Sequence, residues 1–319
     1  MRVAFVGKGG SGKTTLSALF SRHLARSGAP VLAIDGDINQ HLAEALGEEE
    51  KSAPPLGEHL GEIKDFLRGT NPRITSREAM IKTTPPGRGS RLLRPLGDDA
   101  LHARHVGRAG GVPLMVTGEF DESDLGVACY HSKLGAVELY LGHLADGPGE
   151  YVVVDMTAGA DAFASGLFTR FDITFLVAEP TRKGVSVYRQ YREHAERFGI
   201  RIAVIGNKVT GEDDLLFLKE QVGDDLLTYL VHSPWVRAAE QGRTATGPAA
   251  LDSLEPHNRH ALTILRGAVD SHPRDWDRLH RHAIEFHLRN ARAWADARTG
   301  EDLAAQVDPD HVPGIRPNA

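Results

Sequence analysis

Short apolar runs alternate with helical patterns along most of the chain. The runs are rich in Val and Ile, and such near-continuous apolar character is typical of parallel strands covered on both faces. The predicted strands are residues 2–6, 31–34, 113–117, 151–155, 173–178 and 202–206. The predicted helices between them are residues 14–26, 133–144, 161–169, 185–198 and 213–222. This alternation predicts an α/β fold with a doubly wound, mostly parallel sheet and helices on both faces.

Two segments depart from this alternation. Residues 48–111 are rich in Pro, Gly and Arg and show no convincing strand, and they are far longer than an ordinary connection. We expect a small helical insertion or a mobile flap there. Residues 257–301 have a helical pattern, and the tail from Asp308 onward is expected to fray. The sequence therefore predicts a domain of residues 1–256 containing the insertion 48–111, followed by a helical extension and tail, residues 257–319.

Composition narrows the class of protein. The chain has 319 residues, of which 41% are hydrophobic, and its formal net charge is −6. This negative charge argues against a protein whose whole surface binds nucleic acid. No apolar run reaches the ~18–20 residues of a membrane-spanning helix. The one cysteine excludes an internal disulfide and fits a reducing compartment. Because the chain starts directly on a strand and a glycine loop, we expect no signal peptide and a cytoplasmic location.

A glycine-rich loop between the first strand and the first helix carries the strongest motif. Residues 7–14 read Gly-Lys-Gly-Gly-Ser-Gly-Lys-Thr, which satisfies G-x-x-x-x-G-K-[ST]. In this motif the backbone amides surround phosphate oxygens, Lys13 reaches the β- and γ-phosphates, and the Thr14 hydroxyl ligates Mg²⁺. The following helix adds its positive end. The residues predicted to bind the nucleotide here are Gly9, Gly10, Ser11, Gly12, Lys13, Thr14 and Thr15.

A second lysine, Lys8, lies in the same loop. The run Lys-Gly-Gly-Ser-Gly-Lys-Thr-Thr from residue 8 resembles the deviant-Walker P-loop ATPases, which include the MinD, ParA, nitrogenase iron protein and CooC types. The resemblance implies that the chain hydrolyses ATP and that ATP binding brings two copies together as a homodimer. It also implies that Lys8 reaches the partner's ATP and stabilises charge there, as an arginine finger does. Lys8 and Lys13 are then both catalytic.

Two carboxylate segments are similar to the same family. Asp35-Gly36-Asp37 follows the second strand and resembles its D-x-D switch I, and the run from Val152 to Gly159 resembles its Walker B and switch II. The resemblance implies that Asp35 and Asp155 hold Mg²⁺ through water and that Asp37 is catalytic, positioning the attacking water. All three follow parallel strands, so we expect them at one edge of the sheet, where ligands bind in such folds.

The predicted strand at residues 202–206 is followed by Asn207-Lys208-Val209-Thr210. A guanine pocket of the GTPase type has an Asp where Thr210 lies, so the sequence favours ATP. By resemblance, Asn207 contacts the adenine, and the backbone around Pro234 lines the base.

The stretch from Gly126 to His131 is similar in placement to a segment of the CooC-type nickel-insertion ATPases. In that family a C-x-C pair meets its copy across the dimer axis and binds a metal. This chain has Cys129 and His131 instead, and two such ligands from each protomer would suit Zn²⁺ or Ni²⁺ at a dimer interface. A lone cysteine is also commonly a small buried apolar residue, so both interpretations stay open.

Sixteen histidines are many for a chain of this length. His102 and His105, and likewise His280 and His287, have spacings that would place them on one face of a helix. Scattered surface histidines are the favoured interpretation over a metal site. The arginines of the insertion have no interleaved aromatic residues for base stacking, so the sequence disfavours nucleic acid as a partner.

The leading functional hypothesis is an ATP-driven dimeric switch acting on an unidentified client protein. The CooC resemblance implies a role in metalloenzyme maturation. The alternative is a spatial-organisation ATPase of the ParA or MinD type that uses DNA or membrane as its matrix. A membrane-binding ATPase of this type is expected to have a basic amphipathic C-terminal helix, whereas this chain ends in a Pro-rich run with no apolar face. Electron transfer of the nitrogenase type is disfavoured, since a shared four-iron cluster needs two cysteines from each chain.

Overall fold

A single parallel sheet organises the protein. The computed structural model describes residues 1–37, 39–48, 53–119, 130–163, 165–244 and 248–311, with the backbone alone for 130–132, 160–161 and 248–250. The strands are β1 (Arg2–Gly7), β2 (Val31–Gly36), β3 (Gly107–Ala109), β4 (Val112–Val116), β5 (Tyr151–Met156), β6 (Ile173–Ala178), β7 (Arg201–Val209) and β8 (Leu226–Val231). Their order is β3-β4-β2-β5-β1-β6-β7-β8. Only β3 runs antiparallel to its neighbour among these strands. The predicted fold class is confirmed.

Helices cover both faces of this sheet. They are α1 (Lys13–Arg26), α2 (Leu42–Ala45), α3 (Leu60–Arg68), α4 (Ala100–His105), α5 (Tyr130–Gly142), α6 (Tyr188–Phe198), α7 (Glu212–Val222), α8 (Pro234–Glu240), α9 (Pro256–Asp270), α10 (Trp276–Asn290) and α11 (Asp296–Thr299). α1 and α9 bury their apolar stripes on one face, while α3, α5, α6 and α7 contribute to the core on the other. None of the helices within the described ranges is long and apolar enough to cross a membrane.

Several elements differ from the sequence predictions. The strands β3 and β8 and the short helices α2 and α8 were not predicted. β3 has only three residues, whereas β8 is an apolar run, Leu-Leu-Thr-Tyr-Leu-Val, that the prediction missed. The helix predicted over 161–169 is wrong: this stretch lies in two short 3₁₀ turns, Gly159–Phe163 and Gly166–Arg170. The break lies at Ser165, which has an extended backbone (φ −135°, ψ 173°) and whose hydroxyl accepts a hydrogen bond from the Leu167 amide, so that a new turn begins there.

The insertion, residues 48–111, packs against the C-terminal segment of the chain. Ile81 shares a small apolar cluster with Ala291, Ala295 and Leu303. Around this cluster, polar contacts link the same two segments, from Thr75 to Glu301, from Gln306 to the Ala79 carbonyl and from the Arg88 amide to Asp308. The two segments that departed from the strand–helix alternation thus pack on each other, and the insertion packs in turn on α5.

Most of the histidines singled out in the sequence are buried, so the expectation that they lie on the surface is wrong. His102 lies 2.5 Å from Asp99 and 2.9 Å from the Tyr140 hydroxyl. His105, His280 and His287 are likewise buried. Within the ranges that the structure describes, no group of three or more His, Cys, Asp or Glu side chains has the geometry of a metal site.

The buried His143 predicts a pH dependence of stability. Burial lowers its pKa from 6.5 to about 4, so on acidification the unfolded chain binds the proton before the folded one does. The stability contributed by the neutral imidazole is therefore lost as the pH falls from 6.5 towards 4. We expect the wild type to lose up to about 3 kcal/mol over this range relative to His143→Gln. Urea unfolding of both proteins at pH 7 and pH 4.5 measures the difference, and equal losses in the two would contradict it.

Candidate active site

The loop between β1 and α1 has the backbone that its sequence requires. Gly10 and Gly12 adopt positive φ angles of 84° and 94°, which favour glycine. At Gly12 there is also no room for a side chain, because a Cβ would lie 2.2 Å from Asn207 Nδ2. That amide donates a 2.7 Å hydrogen bond to the Ser11 carbonyl. Asn207, at the end of β7, therefore holds the loop at its central turn.

Lys13 begins α1 and points to the carboxyl edge of the sheet. Its ammonium donates to Asp37 Oδ2 at 2.6 Å, and both side chains are more than nine-tenths buried. Asp37 is itself fixed, since its Oδ1 accepts bonds from the backbone and side-chain amides of Asn39. The two residues predicted as phosphate ligand and water-positioning base thus form a direct ion pair.

The other two predicted carboxylates lie side by side in the sheet. Asp35 and Asp155 are register partners at the ends of β2 and β5, and both are fully buried. Burial, together with the negative charge of the neighbouring Asp155, raises the pKa of Asp35 to about 8. Burial also raises the pKa of Asp155, to about 6, although Lys13 and the Thr14 hydroxyl oppose the shift. Both shifts show that Lys13 does not fully compensate negative charge on these carboxyl groups at the edge of the sheet.

This donor set fits a divalent cation of the Mg²⁺ type. The Thr14 hydroxyl donates to Asp155 Oδ2 at 2.6 Å, so a hydroxyl and a carboxylate oxygen already adjoin each other. Hard oxygen ligands suit Mg²⁺, which usually takes one or two protein oxygens and completes its shell with water and substrate phosphate. The described residues accordingly contain no all-protein metal cage.

Two residues that the sequence analysis did not assign to the site, Lys208 and Glu179, brace the loop from the β6–β7 side. Lys208 Nζ donates to the Gly10 carbonyl at 2.8 Å and pairs with Glu179 at 2.5 Å. Lys208 takes a left-handed backbone conformation, with φ of 59°, to reach this position. For Lys208, the only indication in the sequence of a role at the site was its position directly after Asn207.

A cavity of about 480 Å³ opens beside the loop and extends along α1. Its lining includes Thr15 and Asn207, together with Ser233 before α8 and Trp235 and Glu240 of α8. Pro234, predicted to lie near the base, is the first residue of α8 and lies between two of these lining residues. The cavity therefore adjoins the loop where a nucleoside attached to the phosphates would extend.

The remaining predicted residues differ in what the structure says of them. Lys8 is half-buried at the start of the loop, and within the described part of the chain its ammonium makes no ion pair or hydrogen bond. Cys129 lies outside the described residues, as does the His131 side chain, so the proposed Zn²⁺ or Ni²⁺ ligands stay a prediction.

Comparison with known sequences points to one family. The profile of the CobQ/CobB/MinD/ParA nucleotide binding domain matches residues 3–284. An uncharacterised ATP-binding protein of Methanocaldococcus jannaschii is 30% identical over 245 residues, covering 75% of this chain and 88% of the relative. The carbon monoxide dehydrogenase accessory protein CooC of Rhodospirillum rubrum is 29% identical over 247 residues, covering 76% of this chain and 87% of the relative.

Solved structures share the fold. The septum site-determining protein MinD of Pyrococcus horikoshii, complexed with Mg-ADP, superimposes with a TM-score of 0.54 at 17% identity, covering 85% of this chain and 96% of that one. A ParA family ATPase of Chlorobium tepidum gives a TM-score of 0.56 at 17% identity, covering 84% and 97% of the two chains. Since the sequence profile matches nearly the whole described chain, this protein belongs to the CobQ/CobB/MinD/ParA family of nucleotide-binding domains.

Proposed function

We propose that the protein is a Mg²⁺-dependent ATPase that works as a dimeric switch on a client protein. The observation that carries the proposal is the Lys13–Asp37 ion pair at the start of α1, beside the buried carboxyl groups of Asp35 and Asp155. A phosphate-binding lysine and a base meet at one point there, next to oxygen ligands suited to Mg²⁺.

Nucleotide binding would change the partner of Lys13. The ammonium now donates to Asp37; a bound triphosphate offers it stronger oxyanion acceptors at the loop. When bound, Mg²⁺ supplies charge compensation on the β- and γ-phosphate oxygens. Asp37, released from the lysine but still held by Asn39, then orients a water and accepts its proton. Substrate binding thereby frees the base.

Lys8 supplies the test of the dimer. We expect Lys8→Ala to keep ATP binding within each subunit but to lose turnover by at least about 100-fold, because its cation would act on the neighbour's phosphates. Gel filtration with Mg-ATP should then show a monomer, and phosphate release should be near background.

Dimers formed by mixing two inactive variants provide the control for the Lys8→Ala experiment. We expect a mixture of Lys8→Ala subunits and catalytically dead Asp37→Ala subunits to recover part of the ATPase activity if Lys8 acts across the interface. The Lys8→Ala subunit would then contribute Asp37, and its partner would contribute Lys8. Wild-type turnover in Lys8→Ala alone would exclude the cross-subunit role.

Among the possible roles, we favour the maturation of a metalloenzyme as client protein. This preference rests on the sequence similarity to CooC. A role with DNA as matrix makes a different prediction: the Mg-ATP form would shift duplex DNA in a gel, and the shift would weaken steeply with salt. No shift at low salt would exclude the DNA version.

A further inference from the structure

Among the residues that the structure describes, Arg22 is a buried cation without an anionic partner. Its side chain lies on α1 and is only 4% exposed. Within this part of the chain, no hydrogen bond or ion pair reaches the guanidinium, and its Nε and Nη2 atoms are enclosed. Burial lowers the pKa of Arg22 to about 10, so the group stays charged at neutral pH. Because a buried charge without a counter-charge costs free energy, this position favours an anion.

Arg22 lines the cavity that opens beside the phosphate loop, at some distance from the loop itself. Thr15 lines the same cavity, seven residues earlier on α1. Seven residues are about two helical turns, so the two side chains lie on one face of α1, about 10 Å apart along its axis. The Thr15 hydroxyl donates to Glu240 Oε1 at 2.8 Å. The loop end of the cavity therefore has a carboxylate, and the far end has a cation.

The guanidinium of Arg22 lies where the end of α2 meets the turn between β3 and β4. A Cβ built on Gly110, in that turn, would lie 2.1 Å from the Leu46 carbonyl oxygen and 3.6 Å from Arg22 Nη2. These elements enclose Nε and Nη2, which leaves Nη1 as the nitrogen that a ligand in the cavity can reach. The cavity thus ends at a donor that is fixed in place by the surrounding backbone.

The walls near Arg22 restrict the chemistry of an anion that could bind there. Ala18 and Leu19 of α1 and Ala45 of α2 line the cavity and suit a short hydrocarbon chain. The exposed Glu44 also lines it. A ligand with a single negative charge balances Arg22, whereas a phosphate dianion would add a second charge that the nearby Glu44 repels. An aliphatic carboxylate meets both conditions.

From this geometry we propose that the end of the cavity between α1 and α2 is a binding site for a small aliphatic carboxylate. Its carboxylate accepts a charge-assisted hydrogen bond from Arg22, and its chain lies against Ala18, Leu19 and Ala45. The phosphate loop makes no contribution to this site. The protein therefore binds the carboxylate and a nucleotide at the same time, at two ends of one cavity.

Sodium butyrate is the probe, titrated into the full chain at constant ionic strength and followed by saturation-transfer NMR. We expect butyrate to bind about tenfold or more tightly than its neutral analogue butyramide, as is usual for a hydrogen bond between charged groups. Butyrate should also bind more tightly than acetate, because it buries a longer chain. In Arg22→Met the preference for butyrate over butyramide should disappear, whereas Arg22→Lys, which keeps the charge, should retain part of it.

Urea unfolding gives a second measurement on the same variants. Without a ligand, Arg22→Met should unfold at a urea concentration no lower than the wild type, because the substitution removes an uncompensated buried charge. Butyrate should stabilise the wild type and leave Arg22→Met unchanged. A clear fall in the midpoint of Arg22→Met, with no effect of butyrate on the wild type, would mean that the chain itself compensates Arg22, and would overturn the site.

Arg26→Met is the matched control, because Arg26 is an exposed arginine one turn further along α1 that pairs with Asp252. It should bind butyrate as the wild type does. No binding of butyrate by the wild type, or an equal loss in both methionine variants, would overturn the inference, and phosphate binding as tightly as butyrate would overturn the assignment to a carboxylate. Calorimetry with Mg-ADP separates this site from the proposed function. Arg22→Met should bind Mg-ADP normally, and a wild type that binds butyrate but not Mg-ADP would remove the proposed function alone.

Discussion

Replacing Lys13 with alanine should abolish nucleotide binding. Lys13 is the buried cation whose ammonium lies at the phosphate loop, and its removal leaves the Asp37 carboxylate at the phosphate site without its ion-pair partner. We expect the Kd for Mg-ATP to rise at least about 100-fold, equivalent to about 3 kcal/mol, because a charged hydrogen bond is lost and repulsion is added. Isothermal titration calorimetry measures the change.

The control for Lys13 is Lys219→Ala, which removes an exposed lysine from α7. It should bind Mg-ATP as the wild type does. Thermal unfolding of both variants shows whether the fold survives. Unchanged ATP affinity in a folded Lys13→Ala protein would contradict the assignment of the phosphate site.

Replacing Asp37 with alanine should trap the ATP-bound dimer. The substitution removes the base and also releases the Lys13 ammonium, so ATP should bind at least as tightly as in the wild type. Loss of a general base should slow hydrolysis by about 10²- to 10⁴-fold. With Mg-ATP we therefore expect a stable dimer on gel filtration and little released phosphate.

Asp213→Ala provides the comparison, since Asp213 is an exposed carboxylate on α7. It should hydrolyse ATP normally and not accumulate as a dimer. If Asp37→Ala stays monomeric with Mg-ATP, the switch mechanism is wrong; if it hydrolyses at the wild-type rate, Asp37 is not the base.

The central strands could be predicted from the sequence because both of their faces are buried, so nearly every residue in them is apolar. β5, for example, is buried along its whole length and reads as a continuous apolar run until Asp155. β8 has a similarly apolar sequence, Leu-Leu-Thr-Tyr-Leu-Val, so its signal was present and the prediction missed it. The stretch at 161–169 contains a helical pattern, yet Ser165 has an extended backbone and a continuous helix does not form. Glu138 of α5 and Phe286 of α10, far away in sequence, leave no room for a side chain at Gly166.

The candidate site likewise contains some residues that could be predicted from the sequence and others that could not. Lys13, Thr14, Asp35, Asp37 and Asp155 were placed together because each belongs to a local motif at the end of a strand, and the structure brings them together. Lys208 and Glu240 could not be placed, because their contacts with the loop span 198 and 225 residues. No short motif encodes contacts over such separations.

The packing of the insertion on the C-terminal segment has a consequence for synthesis on the ribosome. The Arg88 amide finds its acceptor, Asp308, 220 residues later in the chain, and Thr75 meets Glu301 across 226 residues. While translation is under way, the Ile81 side chain lacks its apolar partners Ala291, Ala295 and Leu303 until their segment of the chain emerges. Contacts of such long range form slowly, and a nascent chain that exposes apolar surface for this time is open to chaperones and to aggregation.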